Sequence, residues 1–289
     1  MNGVAVIDRV TIDCIFSGMA GFPGAGEELY TDRFSMTLGG GACVTPVRLG
    51  NMGVPVRYGT FLGQGLLSKT AETLLQKYKV QNLHNFYDGD GEPVIFSSVF
   101  SFPSDRSIMT FDAGLGENLL TDAQVYDFLH GADVCFAPRR PDVVKKLARE
   151  GTKIVYDTHW EEGQTLEDHL HLRLADFFTP NDKEAMLLTG TDSPQAALDA
   201  LCNYTAQPIV KVGKDGCITR IHGKTEHFPA GEATPVDKTG AGDNFLAGLV
   251  FGVYHAALWQ SAFSWPILPV ASLRRPLAAM TRLTICARS

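Results

Sequence analysis

The run Asp237-Lys238-Thr239-Gly240-Ala241-Gly242-Asp243, followed by the apolar segment Asn244 to Tyr254, has the residue types and spacing best suited to chemistry in this sequence. Gly240 and Gly242 permit tight backbone turns. A helix starting directly behind them leaves several unpaired N–H groups aimed into one small space, which suits an anion. A carboxylate at the same helix start, Asp243, can take the proton from a hydroxyl as that hydroxyl attacks a phosphorus atom. The alternative is that Asp243 only caps the helix, since Asp is a common N-cap. A cap needs one Asp, whereas an anion hole needs small residues on both sides of Ala241.

Four other segments carry polar or glycine-rich patterns. Leu38-Gly39-Gly40-Gly41-Ala42-Cys43, continuing to Leu49-Gly50-Asn51-Met52-Gly53, suits close backbone approach to a polyol, or a tight turn. Asn181-Asp182-Lys183-Glu184 follows Phe177-Phe178 and a Thr179-Pro180 turn and reads equally as a helix start. Val210 to Cys217 is a strand running into a turn with Gly213 and Gly216. Asp157-Thr158-His159 ends a strand at the sheet edge where ligands bind in parallel folds. His169 and His171, two apart on an expected helix, face different directions and make a poor metal pair. No GxxxxGK[ST] or GxGxxG fingerprint occurs, which weakens P-loop and dinucleotide readings.

The Asp237–Asp243 segment resembles the second signature of the PfkB/ribokinase family, with Lys238 in place of a Thr. The resemblance implies that Asp243 is the general base and that Gly240, Ala241 and Gly242 stabilise the transferring phosphoryl group. Residues 38–53 are similar to the first signature, which implies a substrate site at Gly39, Gly40 and Gly41; Val44 stands where the family usually has Asn. Asp13 resembles the family Asp that holds sugar hydroxyls. Asn181 and Glu184 match the family's Asn-x-x-Glu, implying contact with phosphates and, for Glu184 through water, Mg²⁺. Lys211, Gly213, Gly216 and Thr239 fall where the resemblance implies the edge of an ATP site. The Gly-x-Asp expected after the second core strand appears as Gly63-Gln64-Gly65, without the acid. Past His255 the similarity fails, and all 32 acidic residues lie in the first 243 positions. Residues 255–289 are therefore read as an atypical C-terminal segment.

These groups need a scaffold. Short β-rich runs (Gly3 to Ile7, Val56 to Phe61, Asp133 to Phe136, Lys153 to Asp157, Ile209 to Val212) alternate with helical runs near Ser68 to Tyr78, Asp122 to Leu129, Asp142 to Arg149, Asp182 to Leu188 and Pro194 to Tyr204. That rhythm predicts an α/β fold with a doubly wound, mostly parallel sheet flanked by helices. Residues 11–36 and 93–111 instead alternate β-prone residues with turns and predict antiparallel hairpins, a small β lid over one principal ribokinase-like domain spanning 1–289.

A net charge of -7 with no basic tract argues against nucleic acid as a partner. Six scattered cysteines without a CxxC pair point away from zinc and disulfides and fit a reduced, cytoplasmic setting. The uncharged stretch between Asp243 and Arg274 is broken by His255, Gln260, Pro266 and Pro269 and reads as a core helix rather than a membrane span. The expectation is thus ATP- and Mg²⁺-dependent phosphorylation of a sugar-like small molecule by a carbohydrate kinase, with a homodimer through the lid implied by the resemblance. Val44 and the atypical tail motivate one alternative, a sugar-binding or regulatory protein. Phe96, Phe100 and Phe102, which suit stacking on a base or packing a lid core, motivate a nucleoside kinase.

Overall fold

The computed structural model describes residues 2–78, 80, 82–102, 106–157, 165–230 and 241–255. In chain order its strands are β1 (Val4–Ile7), β2 (Thr11–Ser17), β3 (Arg33–Gly39), β4 (Val56–Thr60), β5 (Leu83–Asn85), β6 (Ile95–Ser101), β7 (Arg106–Phe111), β8 (Val134–Phe136), β9 (Lys153–Tyr156), β10 (Phe177–Phe178), β11 (Ile209–Lys211), β12 (Cys217–Ile221) and β13 (Lys224–Phe228). The helices are α1 (Gly41–Asn51), α2 (Leu66–Lys77), α3 (Asp122–Leu129), α4 (Pro141–Arg149), α5 (Asp182–Thr189), α6 (Pro194–Leu201) and α7 (Ala241–Tyr254). The expected strand and helix boundaries lie within three residues of these, and Asp122–Leu129 matches at both ends.

Six strands in the order β10-β9-β8-β1-β4-β5 form one parallel sheet. β1 is buried throughout, and its period of two sends alternate residues to opposite faces. Val4 and Val6 join Cys43, Val47, Leu74 and Leu246 in one core, while Ala5 and Ile7 join Val125, Leu147, Ala185 and Leu198 in the other. Helices α1, α2 and α7 therefore cover one face and α3 to α6 the other, the doubly wound arrangement expected from the βα rhythm.

The lid is a four-stranded sheet in the order β3-β2-β6-β7. The pairs β2/β3 and β6/β7 are antiparallel, but β2 and β6 meet along a parallel seam. β1 and β5 belong to the same parallel sheet, so chains leaving their ends enter the lid in the same direction. Phe100 stacks on Phe16 at 5.6 Å and tilts against Phe22 at 4.8 Å, and Phe22 also meets Phe102 edge-on. Those rings build the lid's own packing. A third sheet, β11-β12-β13, is antiparallel. The expected helix around His169 is instead a 3-10 run, Leu166–Leu174, interrupted at His169 (φ -117, ψ 45), where the buried imidazole Nδ1 lies 3.0 Å from the Tyr156 hydroxyl. No helix among the described residues is long and apolar enough to cross a membrane.

The start of α2 accounts for the acid missing from Gly63-Gln64-Gly65. Glu92, from the loop before β6, accepts hydrogen bonds from Ser68 Oγ at 2.5 Å and Ser68 N at 3.3 Å. Ser68 Oγ in turn accepts from Gly63 N at 2.8 Å. A Cβ on Gly65 would fall onto Glu92 Oε2. A distant carboxylate thus occupies the space of the absent side chain and satisfies an otherwise orphaned N-terminal amide. Glu92→Ala is expected to cost about 1 kcal/mol, the usual size of a lost cap. Gly65→Asp, which crowds that carboxylate, is expected to cost about 1–3 kcal/mol. In thermal melts the double variant should lie well above the sum of the two losses; simple additivity contradicts the exchange.

Candidate active site

Helix α7 opens at Ala241 and carries Asp243 in its first turn. Thr239 and Gly240 lie outside the described residues, so the described part of the expected anion hole begins at residue 241. Thr45 Oγ1 of α1 donates to the Asp243 carbonyl at 3.4 Å, tying the two helices together. Burial pushes the Cys43 thiol of α1 up to about 12, opposed by a hydrogen bond with Tyr58 and reinforced by the carboxylates of Asp8 and Asp243. Burial also pulls the Arg48 guanidinium down to about 10, against the fields of Tyr78 and Asp243. The charge of Asp243 thus acts on two residues of α1, the helix to which Thr45 ties its backbone.

The start of α1 depends on glycine. Gly40, its N-cap, has φ 77, and a Cβ there would come 2.8 Å from Thr11 Oγ1. A Cβ on Gly39 would fall onto the carboxylate of Asp13, which is only 8% exposed within β2. Gly39, Gly40 and Asp13 are therefore in one place, and Gly41 opens the helix behind them. Val44 is buried, so an Asn amide there would have to be desolvated.

Lys211, the last residue of β11, also borders the start of α7. Its Nζ donates to Asp157 Oδ1 at 3.0 Å, with the two side chains 15% and 17% exposed. Thr179 Oγ1 donates to the same oxygen at 2.8 Å. A Cβ on Gly242 would lie 3.6 Å from Lys211 Nζ, so this ammonium borders the start of α7. Burial pulls the Lys211 pKa down, but Asp157, Glu184 and Asp243 outweigh it and hold the ammonium above its ordinary value.

Asn181 and Glu184 form a reciprocal capping box at the start of α5: Asn181 Oδ1 accepts from Glu184 N at 2.9 Å, and Glu184 Oε2 accepts from Asn181 N at 2.8 Å. The helix-start reading of Asn181-Asp182-Lys183-Glu184 is thus what the structure shows, and the cap fixes the Glu184 carboxylate, one of the charges that act on Lys211. Asn181 also bridges to Lys211 in a parallel step, and Lys211 N donates to Pro180 O at 2.9 Å. Gly213 starts the 3-10 turn Gly213–Asp215. Gly216 follows it with φ 95, where a Cβ would strike Phe228 O of β13, so packing alone demands glycine there.

The structure therefore gathers Gly242, Asp243 and Lys211 around one helix start, with Glu184 at the start of α5 acting on Lys211 by its charge and the Asp13–Gly39–Gly40 cluster at the start of the neighbouring α1. Sequence reasoning left two participants unassigned. Asp157 had the signal of its place at the end of a parallel strand; Thr179, buried and adjacent to a proline, had none. Among the described residues no group of three or more His, Cys, Asp or Glu could hold a metal.

The chain is similar in sequence to a fructokinase of Klebsiella pneumoniae, 33% identical over 120 residues that span 38% of this chain and 39% of that protein. It is similar to a ribokinase of Lactococcus lactis at 24% identity over 276 residues, 88% of this chain and 84% of the other. The solved structure of a ribokinase from Giardia lamblia shares the fold, with a TM-score of 0.76 at 14% identity over 100% of both chains. The family model described as pfkB family carbohydrate kinase matches residues 1–263. With α1 and α7 tied side by side on a ribokinase-like fold and the family model matching most of its length, the chain belongs to the pfkB family of carbohydrate kinases.

Proposed function

We propose that this protein transfers the γ-phosphoryl group of ATP to a hydroxyl of a sugar or sugar-like small molecule. One observation carries the reading: α1 and α7 lie together, α1 beginning against Asp13 and α7 carrying Asp243 in its first turn, with Thr45 linking them. A polyol held by Asp13 and the amides of residues 39–41 would present a hydroxyl toward Asp243. The Asp243 carboxylate takes the proton as the hydroxyl oxygen forms its bond to the γ-phosphorus. The bond from that phosphorus to the bridging oxygen breaks, and its electron pair leaves on ADP. The amides of residues 240–242 hold the charge on the moving group, each such donor typically contributing about 3 kcal/mol.

Asn181, Lys211, Gly213, Gly216 and Thr239 line the nucleotide side in this reading. MgATP supplies the activated phosphoryl group. Mg²⁺ ordinarily keeps several waters and binds through one or two carboxylates plus substrate phosphates, which suits Glu184, already anchored by one oxygen to Asn181 N. Closure of the lid would exclude water from the transfer. The edge strands β3 and β7 expose Phe34, Ile108, Met109 and Phe111, which supports pairing of two lids in a homodimer.

A coupled ADP-release screen across sugars, sugar acids and nucleosides tests the reading. We expect MgATP-dependent ADP formation that requires a sugar-class acceptor. Stabilisation by a sugar in thermal melts, with no acceptor raising the ADP rate, would instead make the chain a sugar-binding protein.

A further inference from the structure

We infer that Lys211 contacts the γ-phosphoryl group directly as a catalytic cation and that Asp157, locked by Thr179, is the residue that positions it. The inference rests on the proposed kinase reading and gives the Lys211–Asp157 pair a role beyond edging the nucleotide.

Three observations carry it. First, the ammonium borders the anion-binding element: Lys211 Nζ lies 3.6 Å from where a Gly242 Cβ would be, so an anion seated on the amides at the start of α7 is within its reach. Second, the ammonium is aimed from behind. Asp157 Oδ1 accepts from Lys211 Nζ at 3.0 Å and from Thr179 Oγ1 at 2.8 Å. Thr179 is fully buried, and its own amide donates to Tyr156 O at 3.0 Å. The anchor therefore sits at the C-terminal ends of β9 and β10, the edge where parallel sheets bind ligands. Third, the charge around Lys211 is predominantly acidic, with Arg48 of α1 a cation that also answers Asp243. Lys211 feels Asp157, Glu184 and Asp243. Nucleotide phosphates approaching three carboxylates meet strong repulsion, and a fixed ammonium beside the glycine loop offsets part of it where charge moves during transfer. A lysine serving only to neutralise Asp157 would not need to reach the start of α7.

The test compares stabilisation by MgATP, MgADP and AMP in thermal melts, together with kcat and KM, for wild type, Lys211→Met, Lys211→Arg and Asp157→Asn. Wild type should be stabilised more by MgATP than by MgADP. In Lys211→Met that difference should vanish while the ADP and AMP shifts stay, and kcat should fall about 10²- to 10³-fold, the loss seen when one transition-state donor is removed, with the KM for sugar unchanged. Lys211→Arg should recover part of the ATP–ADP difference, because it keeps the charge but not the shape. Asp157→Asn should lose less in kcat than Lys211→Met and move the ATP shift in the same direction. Should Lys211→Met fail to fold, Lys211→Gln with Asp157→Asn, which leaves neither charge unpaired, carries the same comparison. An undiminished ATP–ADP difference, or equal losses for ATP and ADP, overturns the inference. Because the melts need no turnover, they remain decisive even if no acceptor supports ADP release, a result that would count against the kinase reading alone.

Discussion

An Asp243→Asn variant is expected to turn over about 10²- to 10⁴-fold more slowly than wild type, the range for loss of a general base. The amide keeps the shape of the side chain but has no basic oxygen for the hydroxyl proton. The backbone tie to α1 survives, because Thr45 donates to the Asp243 carbonyl and not to its side chain. Asn also serves well at a helix start, so the melting temperature should change little; an acid in the first turn typically contributes about 0.3–1 kcal/mol. MgATP should bind at least as tightly, since one negative charge beside the phosphates is gone. This split separates catalysis from capping. If Asp243 only stabilised α7, the Asn variant, an equally good cap, would keep both its melting temperature and its turnover.

The second large effect is expected at Gly39. Alanine there would place its Cβ on the carboxylate of Asp13, inside the 3.0 Å that real Cβ atoms essentially never breach. Asp13 is buried in β2 and cannot swing freely into solvent, so either the strand pair β2/β3 shifts or the carboxylate rotates away. Overpacking of this kind costs about 1–3 kcal/mol. Sugar binding should weaken as well, seen as a raised KM for sugar with the KM for ATP little changed. Adding Asp13→Ser to Gly39→Ala removes the crowding. That double variant should regain melting temperature but not sugar affinity, whereas recovery of both would remove Asp13 from the substrate site.

The local placement of both positions was legible in the sequence because turn and cap formation depend on neighbouring residues. Gly39, Gly40, Gly242 and Asp243 sit in short motifs at helix starts, where residue type alone dictates turn and cap. The parallel sheet was legible for a similar reason: buried runs such as Val4 to Ile7 alternate with helical segments opened by caps like Thr121, whose hydroxyl accepts from Gln124 N at 3.3 Å. Tertiary pairing was not. Lys211 and Asp157 are 54 residues apart, and a single acid at a strand end gives no sign of which lysine it will hold. Glu92 replaces the missing acid of Gly63-Gln64-Gly65 from a loop that periodicity describes only as a turn. The parallel seam between β2 and β6 was hidden because each hairpin predicts its own antiparallel pair and nothing about its neighbour. The atypical segment past His255 lies outside the described residues, as do Thr239 and Gly240.

The most direct test is phosphorus NMR of the wild-type protein incubated with ATP, Mg²⁺ and the best acceptor from the sugar screen, run beside Asp243→Asn. Phosphoryl transfer predicts a new phosphate monoester resonance growing in step with ADP, present for wild type and suppressed in the variant. Inorganic phosphate appearing in place of an ester, or an ester forming equally fast in both proteins, would contradict Asp243 as the base for transfer to a sugar hydroxyl.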